Sequence, residues 1–310
     1  GCFGWCMFDY QTHKDFGSGD RMCYHGVMDA FRNPKLAAAA YASQGEEGTV
    51  LEVGSPMDIG DYPAGEIGSV VVFSNADEVA LYKNDCFVTK LNHTPESALP
   101  HPPFVMDDPI GVLLESQEGF DHTKAEYLRD CLLAAQKYGI ANLPFGYKMK
   151  FAWAMMRYGL RYEDCVALYG KYVGNWGGES TRWRFEAVCH GKCVKTLTRS
   201  TSVKLHLEVT PSGNDLVIGD TYDMAALRVR ILDENGTVAS YAQLPVTFRV
   251  DGAVALLGPD TATAEGGMCG AYVRTTGRPG EGIAIVSAPG LESVTVKFSV
   301  KMRDGVEPVV

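Results

Sequence analysis

Residues 203–303 are written almost throughout in twos. Val203, Leu205, Leu207 and Val209 share one face of a first run. The runs MAALRVRIL, PVTFRV, AVALLG, GAYVRT, GIAIVSA and VTVKFSV follow it. A period of two sends alternate side chains to opposite faces of a strand. DENG and similar turn signals recur roughly every 8–12 residues between the runs. Seven such strands cannot stack as helices or wrap as an α/β fold. They predict an immunoglobulin-like sandwich, without the Cys–Trp–Cys pattern of antibody domains. Residues 304–310 read as a fraying tail.

Residues 46–202 mix two periods. In GSVVVFSNADEVALYKNDCFVTKL, Val70, Val72 and Ser74 alternate with Val71 and Phe73, and Val79 and Leu81 alternate with Glu78, Ala80 and Tyr82. Asn84-Asp85 is a turn signal between strands. Helices then interrupt at about 103–175, after the Pro-rich HPPFVMDDP. Asp121 caps the first, with Ala125, Leu128, Leu132 and Ala135 on one face and Gly139 as its stop. The second, over 147–158, places Met149, Trp153 and Met156 on one side, which predicts a core stripe. YEDCVALYGKYV makes the third. Strands resume at TRWRFEAV and KCVKTLTRS. The sheet before the helices has too few strands to close alone, so the helices read as an insertion in one β-sandwich. Cys189 and Cys193 have the spacing of a metal pair but no second pair follows. Alternation on both sides of His190-Gly191 predicts a hairpin instead, and no metal is expected.

Residues 1–45 read as a strand, a polar loop and a helix. The apolar run 3–8 makes the strand. Asn33 is a good N-cap and Pro34 suits the first helical position before KLAAAAYASQ, with Gly45 as the stop. One such unit cannot bury its own two faces. Trp5 and Asp9 fall around the strand exit, with His13, Lys14 and Asp15 beyond. Strand exits carry the functional groups of α/β barrels. There Trp5 would stack on a sugar ring and Asp9 would accept hydroxyl hydrogen bonds. A core Trp and a salt-bridged Asp fit the same residues. GSGD at Gly17, GRPGEG at Gly277 and Asp107-Asp108 read as turns, and Asp260 and Glu265 form no evident acid/base pair.

Composition narrows the partners. A net charge of -10 over 310 residues argues against a nucleic-acid backbone. The longest helical apolar stretch, Leu36–Ala42, is far short of the roughly 18 residues a membrane span needs. Nine cysteines without framework spacing fit a reducing compartment, the cytoplasm. No cofactor motif stands out.

The opening segment, FGWCMFDYQTHKDFGSGDRMCYHGVMDAFRNPKLAAAAYASQ, resembles the last strand and helix of the catalytic barrel of glycoside hydrolase family 2, the β-galactosidase group. Trp5, Asp9, Gly26-Val27, Asp29 and Arg32-Asn33-Pro34-Lys35 carry the resemblance. VVVFSNADEVALYKND is similar to the sandwich that follows that barrel. GDTYDMAALRVRILDENGTV through LLGPD and GGMCGAYVRTTGRPGEG is similar to a further C-terminal sandwich. The resemblance implies a mainly β chain of two immunoglobulin-like sandwiches, the first with a helical insertion, preceded by a remnant of a truncated (β/α)8 barrel. It implies a parent that hydrolyses β-galactosides with retention, using two glutamates about 5 Å apart. No Glu precedes Glu46, so the pair is expected outside this chain and the chain alone is expected to be inactive. Trp5 carries over as a wall of the sugar subsite, with Asp9 and His13 as its neighbours. The alternative is a binding module that presents Trp176 and Trp183 to carbohydrate or to a protein. The opening strand should pack on the neighbouring sandwich, pair with another copy in a homo-oligomer, or be disordered.

Overall fold

The computed structural model describes residues 4–16, 19–57, 67–94, 97–174, 180–202 and 204–305. They divide into two compact units, Ala39–Thr201 and a second that joins Gly1–Ala38 to Ser202–Val310.

The opening segment has little regular structure. β1 (Tyr10–Gln11) pairs antiparallel with β2 (Met22–Cys23). The apolar run before them is not a strand in the described residues. Phe8 makes one parallel bridge to Met28, and Phe3 lies outside the described residues. α1 (Leu36–Ala42) begins later than Asn33 and Pro34 suggest. Pro34 instead bridges Met28, and the Asn33 amide is engaged elsewhere, as set out below. A cap residue must leave its side chain free for the first turn.

The unit Ala39–Thr201 is a sandwich of two four-stranded antiparallel sheets. Its strands are β3 (Leu51–Val53), β4 (Val70–Ser74), β5 (Glu78–Lys83), β6 (Cys86–Lys90), β7 (Asn92–His93), β8 (Phe104–Met106), β9 (Arg182–Cys189) and β10 (Lys192–Ser200). The sheet orders are β3-β4-β8-β7 and β10-β9-β5-β6. Val72, Val79, Leu81, Phe104, Trp183 and Phe185 fill the core between them. Both tight hairpins have positive φ at their two central residues, 47° and 65° at Asn84-Asp85 and 50° and 74° at His190-Gly191. That is the turn whose twist matches the flanking strands. Phe104–Met106 is a strand within the span expected to be helical, because three residues are too few to show a period.

Among the described residues, four α-helices and a π-helical turn (Gly170–Gly174) separate β8 from β9. α2 (Leu113–Ser116) is one turn. α3 (His122–Tyr138) starts where Asp121 accepts a 3.0 Å bond from the Lys124 amide and ends at Gly139, φ 72°. It buries Ala125, Leu128, Leu132 and Ala135 as its period requires. α4 (Phe145–Tyr158) stops at left-handed Gly159 and is followed by α5 (Tyr162–Tyr169). The expected core stripe on α4 is corrected here. Met149, Trp153 and Met156 are exposed, Met156 at 80%, and only Ala154 is buried. α4 is apolar on more than one face, so its period could not choose the inner one. Phe151 and Met155 turn inward instead, lining an apolar cavity of about 270 Å³ with Leu132, Leu143, Val166 and Tyr169.

The last hundred residues form a second sandwich. Its strands are β11 (Leu205–Pro211), β12 (Asp215–Ile218), β13 (Met224–Asp233), β14 (Pro245–Gly252), β15 (Val254–Leu257), β16 (Thr261–Thr263), β17 (Met268–Thr275), β18 (Gly280–Ser287) and β19 (Val294–Met302). One sheet runs β11-β13-β17-β15 and the other β12-β19-β18-β14-β16. Among the described strands of this sandwich, only β12 and β19 pair in parallel. The seven alternating runs are all strands, except that Val203 lies outside the described residues. The two strands that alternation does not reveal, β12 and β16, are short and sit at the two edges of one sheet. Leu227, Val229, Phe248, Val273, Val286 and Phe298 pack between the sheets.

Candidate functional site

The site is built around Asp9. Its carboxylate is 4% exposed and accepts from the Lys35 ammonium at 2.7 Å and the Gly26 amide at 2.8 Å. Lys35 also donates to the Tyr24 carbonyl at 3.2 Å. Backbone bonds run alongside, from Val27 to the Cys6 carbonyl, Met28 to Met7, and Asp9 to Met28, at 2.9–3.1 Å. Gly26 has to be glycine. A Cβ there would lie 2.2 Å from the Asp9 nitrogen and 2.4 Å from the Phe8 carbonyl carbon. A buried carboxylate needs such partners to stay charged. Asp9 therefore holds the loop together and does not face solvent.

The stretch GVMDAFRNPK then docks on the β13-β17 face of the C-terminal sandwich. Asp29 accepts from the amides of Phe31 and Asn33 at 2.8 and 2.7 Å and from the Asn33 side chain at 2.7 Å. Asn33 donates on to the Cys269 carbonyl at 3.0 Å, and the Tyr272 hydroxyl donates to the Ala30 carbonyl at 3.0 Å. The Phe31 ring lies 5.7 Å from that of Tyr272. Gly270 opens the seat for it, since a Cβ there would meet Phe31 at 2.5 Å. The opening segment thus packs on the sandwich that is more distant in sequence.

Above this base the aromatic side chains are open. Trp5 is 78% exposed. Its indole donates to the Tyr10 hydroxyl at 3.2 Å, with the rings edge to face at 6.4 Å. The Trp5–Cys6 peptide bond is cis. His13 is exposed, and its Nδ1 accepts from the Asp15 amide at 3.2 Å. The Tyr24 hydroxyl donates to Asp20 at 2.5 Å and lies 3.2 Å from Glu265. The bond to Asp20, with burial and Glu265 adding, holds that hydroxyl protonated far above the usual tyrosine range. The arrangement offers flat apolar faces beside polar edges, which suits a ring with one apolar face and a rim of hydroxyls.

Sequence reasoning picked Trp5, Asp9 and His13. Their surroundings separate an open aromatic and an exposed imidazole from a buried ion pair. It missed Tyr10, Tyr24 and Lys35 as functional partners, although Lys35 stands in the motif that carried the resemblance. Trp183, offered with Trp176 as a binding platform, is 2% exposed and belongs to the first sandwich's core, which removes it as a platform. Trp176 lies outside the described residues. Beside Trp183, Lys83 is buried, and no carboxylate among the described residues forms an ion pair with it. Its ammonium donates to the Lys171 carbonyl at 2.7 Å and lies 5.2 Å from the Trp183 ring centre. Burial, reinforced by the charge of Lys171, lowers its pKa to about 8. Among the described residues no helix is long and apolar enough to cross a membrane.

Residues 207–297 match the family model of glycoside hydrolase family 2 C-terminal domain 5. The chain is 30% identical over 286 residues to a beta-galactosidase of Thermoanaerobacter pseudethanolicus, covering 91% of this chain and 31% of that protein. It is 29% identical over 273 residues to a beta-galactosidase of Thermoanaerobacterium thermosulfurigenes, covering 86% and 30%. In structure it is similar to a beta-glycosidase from Bacteroides vulgatus, with a TM-score of 0.60, 15% identity, and coverage of 95% of this chain and 30% of that one. The chain therefore spans about a third of the length of the curated relatives it matches.

Proposed function

We propose, for a chain that belongs to the C-terminal region of glycoside hydrolase family 2, that it serves a longer retaining enzyme acting on terminal β-galactosides. In this reading residues 1–45 are the end of the catalytic barrel. Trp5 forms one wall of the sugar subsite, backed by Tyr10, and His13 lies at its margin. Asp9 is a positioning residue that fixes the loop through Gly26 and Lys35. The glutamate pair that cleaves the glycosidic bond comes from outside these 310 residues, since none precedes Glu46. The C-terminal sandwich braces the barrel end, and the chain offers surface for homo-oligomers. The enzyme works in the cytoplasm, in keeping with cysteines that are all free among the described residues. It has no nucleic-acid or membrane partner.

One observation carries this reading. The loop that resembles a barrel end keeps the Asp9 carboxylate buried and leaves Trp5, Tyr10 and Tyr24 exposed, the reverse of what a merely structural loop would do. The test is an assay of the purified chain on a chromogenic β-galactoside. No turnover above the uncatalysed rate is expected. Hydrolysis at an enzyme-like rate, retained after further purification, would mean that the catalytic groups lie within the chain.

A further inference from the structure

We propose that Glu115, His122 and Glu126 form a binding site for one divalent first-row transition ion, with Zn²⁺ as its probe. The site lies in the helical insertion and does not depend on the reading of the opening loop. One ligand atom from each residue lies within 4.8 Å of the other two. No other cluster of three or more such groups occurs among the described residues.

The chain brings the three together by local means. Glu115 sits on α2, and Gly119, at φ 65°, turns the chain back. The Asp121 cap then fixes the first turn of α3, so His122 and Glu126 stand four apart on one helical face. His122 Nδ1 already meets Glu115 at 2.8 Å. Four-coordinate zinc binds nitrogen and oxygen at about 2.0–2.2 Å and holds its ligand atoms roughly 3.4 Å apart. The three ligand atoms already stand within 4.8 Å of one another, and adjustment of the two half-buried glutamate side chains would close the remaining gap.

The donor set chooses the ion. One imidazole with two carboxylates suits zinc, nickel or copper, whereas calcium and magnesium require six or more oxygens. Three protein ligands leave a coordination position for water. One competitor is in place. Arg129 bonds Glu126 at 2.8 Å and also lies 3.6 Å from Asp108. The ion displaces the guanidinium from Glu126, and Arg129 keeps Asp108.

Titration calorimetry with ZnCl₂ tests the site, on a Cys193→Ser background because the exposed Cys193 thiol would itself take zinc. One saturable equivalent is expected. His122→Ala should abolish it, and Glu126→Gln should weaken it at least tenfold while leaving the Asp121 cap and the Glu115–His122 bond intact. Arg129→Gln should tighten it several-fold by freeing Glu126, a change that a purely structural cluster would not give. Mg²⁺ and Ca²⁺ should not compete. Absence of a saturable zinc event, its survival in Glu126→Gln, or equal displacement by Ca²⁺ would overturn the proposal. If His122→Ala fails to fold, Glu126→Gln and Arg129→Gln decide.

Discussion

The opening loop and the helical insertion both display large apolar side chains, and they are ordered by opposite means. In the insertion, order is local. Asp121 caps α3 three residues from the amide it accepts, and glycines stop α3 and α4 one residue past their ends. In the loop, order is long-range. Asn33 reaches the Cys269 carbonyl 236 positions away, and Tyr272 reaches Ala30 across 242. The insertion therefore holds its helices wherever its outer face points. The loop holds its shape only while its buried polar pins and its seat on the β13-β17 face persist.

The largest expected effect strikes the loop. Asp9→Ala leaves the Gly26 amide without its acceptor and Lys35 without its counter-ion. Urea denaturation should show a loss of about 2 kcal/mol, the usual penalty for orphaning a buried partner. Proteolysis should cut first within residues 1–38. A change below about 0.5 kcal/mol would mean that the ion pair does not hold the loop.

A middle effect, of opposite sign, is expected in the first sandwich. Lys83 carries a charge that burial opposes, and its folded pKa of about 8 lies below the usual lysine value. The unfolded chain binds more protons between the two values, so stability should rise as pH climbs from 8 towards 10. Lys83→Met should stabilise the unit by about 1 kcal/mol near neutral pH and flatten that rise. Equal pH slopes in the two proteins would show that Lys83 is not the titrating group.

The smallest effect belongs to the outer face of α4. Met156→Lys should alter stability by less than about 0.5 kcal/mol, as exposed substitutions usually do. A loss above about 1 kcal/mol would place that face in a packed interface and erase the contrast with the loop.

The same contrast explains what the sequence made legible. Alternation found seven of the nine described strands of the C-terminal sandwich. It missed β12 and β16, two short strands at the edges of one sheet. Helix punctuation placed α3 and α4 nearly to the residue. It could not tell that Met149, Trp153 and Met156 face outward, because α4 has apolar residues on more than one face and packing makes the choice. Asn33-Pro34 has the local form of a helix start, yet Asn33 is drawn to Asp29 and Cys269, and no local rule encodes a partner so distant. In the candidate site, the exposure of Trp5 fits the place that its motif suggested for it. The roles of Tyr10 and Lys35 were not legible, since both depend on how the loop closes on itself.

The central claim is that Trp5 presents an open face to the sugar that is cleaved. Its most direct test is the steady-state kinetics of Trp5→Ala in the longer enzyme that carries these residues, on a β-galactoside. Loss of a stacking wall worth roughly 1.4–2.7 kcal/mol predicts a fall in kcat/KM of about 10- to 100-fold with unfolding behaviour unchanged. An unchanged kcat/KM in a folded Trp5→Ala enzyme would contradict the account.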